Sequence, residues 1–282
     1  QPGGGLEIAR RMFDTWRGEA LVRPIVAPHG TTTCNEALLR AGVELAAGQN
    51  ALFTLHASEM DYEMKYFAER GETPTRYLKR IGAVNERLLA GHCIHLTMDD
   101  IEILAEGNAA IAHCISNTKA GKGVAPMAAA ARAGVRFGLG TDGPSSGNTL
   151  SLFDQMRLFA DAHKTANRDR ALFPAKEIVR AATRGGAQAL HAGNELGQLR
   201  PGLRADMVLV SVDAPHMFPV YNPYSALVYG ANSSDVSLVM ASGEVLVRGG
   251  KLTRLDMEEA KAKLLEQMGP FMQSAAKYAD II

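Results

Sequence analysis

The sequence alternates short apolar runs with longer stretches of helical periodicity, and this alternation restricts its fold more than any other feature. Five runs have the length of strands: Val22–Ala27, Ala51–Leu55, Leu88–Ile94, Ala109–Ile115 and Val135–Leu139. Segments with apolar residues on one helical face lie between and after them: Asn35–Gly48, Met60–Ile81, Asp99–Glu106, Met127–Ala133, Leu150–Lys164 and Ala175–Ala192. Strands that alternate with helices form parallel sheets. The sequence therefore predicts an α/β domain over residues 1–193, with the repeat length of a (β/α)8 barrel.

The pattern changes in residues 194–282. Short apolar runs at Met207–Val210, Val236–Met240 and Glu244–Arg248 follow one another, mostly without spacers of helix length. Such spacing favours antiparallel strands. Asp256 and Glu259 have the spacing of a capping box, which predicts a terminal helix to about Tyr278. We expect this part to be a small β-sandwich segment followed by that helix.

Charge and cysteine content narrow the class of protein. Thirty basic residues balance thirty acidic ones, so we expect neither nucleic acid nor a membrane as a partner. No apolar run reaches the roughly 18 residues that a membrane span needs. Cys34, Cys93 and Cys114 form no CxxC pair, which indicates reduced thiols in a cytoplasmic protein. We expect a homo-oligomer that acts on a small molecule.

Residues that bind metals or transfer protons follow the predicted strands in series. The leading ones are separated by 27, 36, 21 and 29 residues: His29, His56, His92, His113 and Asp142. Each interval is about one β–α unit, and parallel strands in a barrel bring their carboxyl ends to one rim, where barrel enzymes place their active sites. We therefore predict one pocket formed by His29, His56, Glu59, His92 and Asp142.

Structural roles are the alternative for each of these residues. A histidine at a strand end is commonly a hydrogen-bonded structural residue, Asp142-Gly143 is typical of a turn, and Glu59 suits the first turn of a helix. However, these residues recur at intervals of about one β–α unit, and this regular spacing favours a shared active site over separate structural roles. Structural roles are assigned to the remaining histidines: His95, His113, His163, His191 and His216. The HExxH motif and the HxE…PCxxC signature are both absent, which excludes those two kinds of zinc site.

Several sequence phrases occur in the order seen in the amidohydrolase superfamily. They are APHGTTTCNEALL, HASE, HCIHLTMDDIEIL, GLGTDGPSSGNTLSLFDQMRL, and ATRGGAQAL followed by LGQLRPGLRADMVLV. From about Leu21 the chain resembles this superfamily, and within it the branch of methylthioadenosine/S-adenosylhomocysteine deaminases, guanine-type deaminases and triazine hydrolases. The phrase PHMFPVYNPYSALVYGANSSDVSLVMASGEVLV is most similar to the first of these groups. The resemblance implies a TIM-type (β/α)8 barrel, with the predicted strands as barrel strands four to eight, and one divalent metal ion, Zn²⁺ before Fe²⁺.

The resemblance also implies roles for individual residues. His56 and Asp142 would be metal ligands, and Asp142 would also act as the base. Glu59 would shuttle a proton to a ring nitrogen of the substrate, His92 would orient the attacking water, and His29 would face the substrate. The PHGTTTC phrase departs from the family's PHSPYTC, so the local substrate contacts of this segment are not carried over.

The largest departure is the HxH pair of barrel strand one, which occurs nowhere in the 282 residues. Five parallel strands with two open edges do not close a barrel. We therefore expect the HxH pair and barrel strands one to three to lie in an N-terminal portion outside this sequence, with a half-barrel as the alternative.

The predicted activity is the metal-dependent hydrolytic deamination of an adenosine-like nucleoside, of the methylthioadenosine/S-adenosylhomocysteine type, with release of ammonia. One alternative keeps the metal chemistry but changes the substrate to a guanine-like or pterin-like ring or to a triazine. A second alternative is a metal-free, non-catalytic protein, because this sequence supplies only two of the expected ligands.

Overall fold

The computed structural model describes residues 4–116 and 121–276, and the chain divides into two compact units. The first unit runs to Leu203 and includes Asp213–Ser233, and the second consists of Arg204–Val212 and the chain from Ser234 onward. The first unit therefore extends beyond residue 193, where the sequence predicted the division. It also includes Asp213–Ser233, which the prediction placed in the second part.

A parallel sheet forms the centre of the first unit. Its strands lie in chain order: β1 (Phe53–Ala57), β2 (Leu88–His92), β3 (Ala110–His113) and β4 (Arg136–Leu139). All neighbouring strands are parallel, and helices connect them, so the α/β expectation is confirmed. In the part of the chain that the structure describes, β1 and β4 are the outer regular strands of this sheet.

The prediction of a regular strand at Val22–Ala27 is wrong. Val26 forms an isolated parallel bridge to Phe53. The bridge is held by hydrogen bonds from the Val26 N–H to the Leu52 carbonyl and from the Thr54 N–H to the Val26 carbonyl, both 2.9 Å long. Pro24 and Pro28 lie on either side, and proline cannot donate the N–H that a longer ladder needs. The segment therefore follows β1 without becoming a full strand.

Most helices of the first unit lie in the predicted segments, with some changes in bounds. They are α1 (Gly4–Thr15), α2 (Glu36–Gly48), α3 (Asp61–Ala68), α4 (Pro74–Arg80), α5 (Met98–Glu106), α6 (Met127–Arg132), α7 (Pro144–Gly147), α8 (Leu152–Asn167), α9 (Ala175–Arg180), α10 (Gly186–Ala189) and α11 (Pro223–Ser225). The sequence predicted one helix over Met60–Ile81, but Thr73 caps a new helix whose first residue is Pro74, a residue that cannot continue a preceding helix. The helices α1, α7 and α11 were not predicted.

The last predicted helix of this unit, Ala175–Ala192, is interrupted by a π-helical turn at Ala181–Gly185. This turn and α10 lie directly against β4. A Cβ atom added to Gly138 would lie 2.6 Å from the Cα atom of Gly186, and one added to Gly185 would lie 2.7 Å from the Phe137 carbonyl oxygen. These glycines therefore allow the helix backbone to touch the strand.

The hydrophobic core lies between the sheet and its helices. Its largest fully buried side chains are Phe53, Phe67, Phe159, Leu39, Leu78, Leu88, Ile101, Leu104, Ile111, Ile115, Met127 and Ile178. Burial of a side chain of this size contributes roughly 1.5–3 kcal/mol. The core therefore holds the strands, and with them the ends of the strands, in fixed positions.

The second unit contains an antiparallel sheet in the order β5 (Met207–Val210), β6 (Val236–Ala241), β7 (Glu244–Arg248) and β8 (Lys251–Leu252). The predicted strands and their direction are confirmed, and β8 was not predicted. Asp256 caps the helix α12 (Met257–Ala275) by accepting hydrogen bonds from the N–H groups of Glu258 and Glu259. The predicted end at Tyr278 lies outside the described residues. No helix in the described ranges combines the length and the apolar character that crossing a membrane requires.

Candidate active site

The predicted site residues lie where the parallel strands end. His56 is the fourth residue of the five in β1, His92 is the last residue of β2, and Asp142 follows β4. His29 lies beside β1, since its carbonyl accepts a hydrogen bond from the His56 N–H at 3.0 Å. All these positions are at the carboxyl edge of the sheet, so the structure brings together the strand ends that the sequence selected.

Three of the histidine rings form one group. The ring centroids of His29 and His56 are 4.7 Å apart, and the rings of His56 and His92 are stacked with centroids 5.0 Å apart. The Nδ1 atom of His56 lies 2.5 Å from the carbonyl oxygen of His29. Because a carbonyl only accepts, this Nδ1 carries a hydrogen, which leaves Nε2 as the ring nitrogen available to a ligand. A histidine that ligates a metal is commonly oriented in this way.

The backbone at His92 explains the stacking. In the register of the sheet, Ala57 pairs with His92 and His56 pairs with Gly91, so strand alternation alone would put the His56 and His92 side chains on opposite faces. His92 has a φ of +67°, a left-handed conformation that ends the alternation. Ser58 and Asp142 are also left-handed, with φ of +51° and +60°. A left-handed backbone is uncommon for residues other than glycine, and strained residues of this kind are often found at functional sites.

Glu59 is the carboxylate of the group. Its Oε1 atom accepts a hydrogen bond of 2.6 Å from Lys122 Nζ, and its Oε2 atom lies 3.6 Å from His92 Nε2. The His92 side chain is 2% exposed. Burial lowers the pKa of His92, and the nearby Glu59 opposes this effect in part. The Asp142 carboxylate, which accepts a 2.6 Å hydrogen bond from the Gly143 N–H, also acts to raise the pKa of His92.

Lys122 was missed by the sequence analysis. It lies in residues 121–123, after the fourth predicted strand rather than at its end. The rule that selected residues at strand ends therefore does not select it. Its side chain is 24% exposed. No sequence signal distinguishes it from an ordinary surface lysine.

Glu63 was also missed, although its acid side chain is buried in the first turn of α3. Its Oε1 atom accepts hydrogen bonds from the Thr31 hydroxyl and from the Ser58 N–H, the latter at 3.1 Å, and its Oε2 atom accepts one from the Glu59 N–H at 2.8 Å. An acid in a helix's first turn is common, and the sequence does not reveal that it reaches back to residues 58 and 59.

The histidines that were assigned structural roles lie outside this group. His113 and His163 form a buried pair, with their Nε2 atoms 3.0 Å apart. His95 lies 3.5 Å from Asp61, His191 contacts the Glu86 carbonyl at 2.7 Å, and His216 contacts Asn232 at 3.2 Å. His113 sits at a strand end like the others, but its ring contacts Phe159.

Imidazole and carboxylate are the donors that Zn²⁺ and similar divalent ions use in proteins. His56 and Asp142 supply donors of these two kinds at the carboxyl edge of the sheet. Within residues 4–116 and 121–276, however, no three histidine, cysteine or acidic side chains are close enough together to hold a metal ion. The described residues alone therefore do not make up a metal site.

Comparison with known proteins gives the family. The sequence profile of the amidohydrolase family matches residues 5–246. A 5-methylthioadenosine/S-adenosylhomocysteine deaminase of Syntrophus aciditrophicus is 38% identical over 260 residues, which are 92% of this chain and 59% of that protein. One of Thermoanaerobacter pseudethanolicus is 34% identical over 90% of this chain and 60% of its own length. The chain thus spans about three fifths of the length of these relatives.

Solved structures of other proteins are also similar to this chain over most of its length. An adenosine deaminase from Xanthomonas campestris with bound zinc superposes with a TM-score of 0.91 and 32% identity, over 95% of this chain and 62% of that one. An atrazine chlorohydrolase from Arthrobacter aurescens, complexed with zinc, superposes with a TM-score of 0.85 and 28% identity, over 92% of this chain and 58% of that one. Both neighbours contain zinc, which agrees with the donors found at the strand ends.

Proposed function

The chain belongs to the amidohydrolase family, and we propose that the native-length protein is a metal-dependent deaminase of an adenosine-like nucleoside, of the methylthioadenosine/S-adenosylhomocysteine type. One observation supports it most: the His56 ring, oriented by the His29 carbonyl, stacks on His92 directly beside the Glu59 carboxylate. Relatives with 34–38% identity over at least 90% of the chain carry this activity in their names, which supports the substrate class.

We propose that β1 to β4 and the bridge at Val26 are part of an eight-stranded barrel. The zinc-containing neighbours are longer than this chain, which covers 62% and 58% of them. The remaining barrel strands, the HxH ligands and a second layer against β5 to β8 would come from sequence outside these 282 residues. Val208 and Leu209 of β5 are both about half exposed, and because consecutive strand residues lie on opposite faces, such a layer would cover one of them.

In this proposal His56 Nε2 and Asp142 hold one divalent metal ion, Zn²⁺ in preference to Fe²⁺, together with ligands outside the sequence. When bound, such an ion lowers the pKa of a water molecule towards about 7 and so supplies hydroxide at neutral pH.

The side chains of this chain then have separate tasks. Asp142 would accept a proton from the attacking water, and His92 would orient the water oxygen towards the ring carbon that carries the amino group. Glu59 would take up a proton and deliver it to the adjacent ring nitrogen, which makes that carbon electrophilic. After the C–O bond has formed, the proton on Asp142 would pass to the amino group, the C–N bond would break with release of ammonia, and the added hydroxyl would return its proton to Glu59. His29 faces the substrate. General acid–base transfer of this kind contributes typically 10²–10⁴-fold to a rate.

A substrate panel tests the proposal. The native-length protein is assayed for ammonia release and for conversion of adenine to hypoxanthine absorbance with methylthioadenosine, S-adenosylhomocysteine and adenosine, with guanine and a triazine beside them. We expect turnover of at least one adenosine. Turnover of guanine or the triazine alone would overturn the substrate and leave the metal chemistry, and no turnover by a zinc-loaded protein would favour a non-catalytic role.

A further inference from the structure

Glu63 is a buried acid, 4% exposed, and has no part in the reaction steps above. Its contacts in the described residues are with N–H and O–H donors and not with a lysine or arginine. A buried carboxylate is costly unless its oxygens are hydrogen-bonded, and charge-assisted bonds of this type are among the stronger ones in proteins. The three donors come from Thr31, Ser58 and Glu59.

Helix capping alone does not account for this arrangement. The residue before α3 is Met60, and in a capping box the acid three residues later would bond to that residue's N–H. Glu63 reaches further back, to the N–H groups of Ser58 and Glu59. Ser58 is left-handed, with a φ of +51°. Glu63 therefore fixes the turn between β1 and α3, from which the Glu59 side chain projects.

Thr31 connects this turn to a second part of the site. It lies two residues after His29, and the intervening Gly30 forms a parallel bridge to His56. The side chain of Thr31 is buried and donates to Glu63. A single carboxylate thus ties the loop that carries His29 to the turn that carries Glu59.

We propose that Glu63 is a positioning residue for this reaction: with Thr31, it holds the Glu59 carboxylate at its place beside His92 and Lys122. The inference rests on the proposed deaminase function. Loss of the Thr31 hydroxyl leaves Glu63 with its two main-chain donors, so the turn loosens without unfolding. Small displacements of a reacting group have large kinetic costs, and the effect appears in kcat rather than in KM.

Steady-state kinetics of the native-length enzyme test this. Thr31→Val removes the hydroxyl at nearly constant volume, and we expect kcat to fall about tenfold, while KM and bound metal stay within twofold. Thr31→Ser keeps the hydroxyl and should restore most of the rate. Thr183→Val is the matched control, because it removes an exposed hydroxyl whose 2.7 Å bond to the Val179 carbonyl is remote from the site.

A double-mutant cycle separates positioning from general destabilisation. In a Glu59→Gln background, Thr31→Val should change kcat by less than twofold, because the group it positions no longer transfers a proton. An equal loss in both backgrounds, or no loss in the wild-type background, would overturn the proposal.

Hydrogen exchange gives a result that does not depend on activity. The Ser58 and Glu59 amides should exchange slowly in the wild type and faster in Glu63→Gln, with the core strand β2 unchanged. If the wild type deaminates no nucleoside, the proposed function fails, yet these amides still report whether Glu63 fixes the turn. Unchanged exchange in Glu63→Gln would overturn the positioning role itself.

Discussion

The first unit contains two groups of histidines, and the side chains around the two groups are different. His29, His56 and His92 form a contiguous group beside Glu59. His113 and His163 bond to each other, with Phe159 at ring distances of 5.5 and 4.3 Å from them. Burial lowers the pKa of His113 to about 3 and that of His163 to about 4. The second pair is therefore neutral at physiological pH.

His92 and His113 show what separates the groups. Each ends a neighbouring parallel strand. His92 has a φ of +67°, so its ring turns towards His56 and the polar edge. His113 is not among the left-handed residues, and its ring packs against the aromatic side of α8. The φ angle of His92 thus places its ring at the candidate site, whereas His113, without that φ angle, lies in the core.

The comparison predicts that changes in the first group act on rate. Glu59→Gln keeps the size and hydrogen bonding of the side chain but removes the proton that it transfers, so kcat should fall by about 10²-fold or more. Metal content should be unchanged, as measured by elemental analysis. Glu102→Gln, at an exposed position of α5, is the control. Normal turnover by Glu59→Gln would remove this residue from the mechanism.

Changes in the second group should act on stability, and with a defined pH dependence. Because folding lowers both pKa values below the ordinary value of about 6.5, the unfolded chain binds protons first as the pH falls. Stability is therefore retained above about pH 6.5 and lost as the pH falls towards 4, by up to about 1.4 kcal/mol per pH unit for each histidine.

Urea unfolding between pH 7 and pH 5 measures this slope. His163→Phe removes one titrating group within an aromatic environment, so its stability should depend less steeply on pH than that of the wild type. Equal slopes for the two proteins would show that the buried pair does not control acid stability.

Lys122→Met should have the smallest effect. The variant loses the 2.6 Å ion pair with Glu59 while the turn remains fixed through Glu63, so we expect kcat/KM to fall by about fivefold, in line with the modest energies of partly exposed pairs. Lys122→Arg keeps the charge and should retain most of the rate. A loss as large as that of Glu59→Gln would show that Lys122 itself takes part in proton transfer.

Most elements of the first unit, and the strand ends that come together, could be predicted from the sequence. Hydrophobic periodicity and the spacing of polar residues can be seen directly in the order of the residues. The sequence pattern overestimated the strand at Val22–Ala27, where two prolines limit pairing, and it did not predict α1, α7 or α11. It also missed Lys122 and Glu63. Their contacts join residues 63 and 32 positions apart, and an isolated lysine or a helix-start acid carries no sign of such a partner. The left-handed torsion at His92 likewise depends on tertiary packing.

Metal content tests most directly the claim that these two groups of histidines have different functions. Native-length wild type, His56→Ala and His163→Phe are purified in parallel, checked for folding by circular dichroism, and analysed for zinc and iron. We predict about one metal ion per chain in the wild type and in His163→Phe, and little metal in His56→Ala. Full metal content in a folded His56→Ala protein, or equal loss in both variants, would contradict the assignment of the metal site to the strand ends.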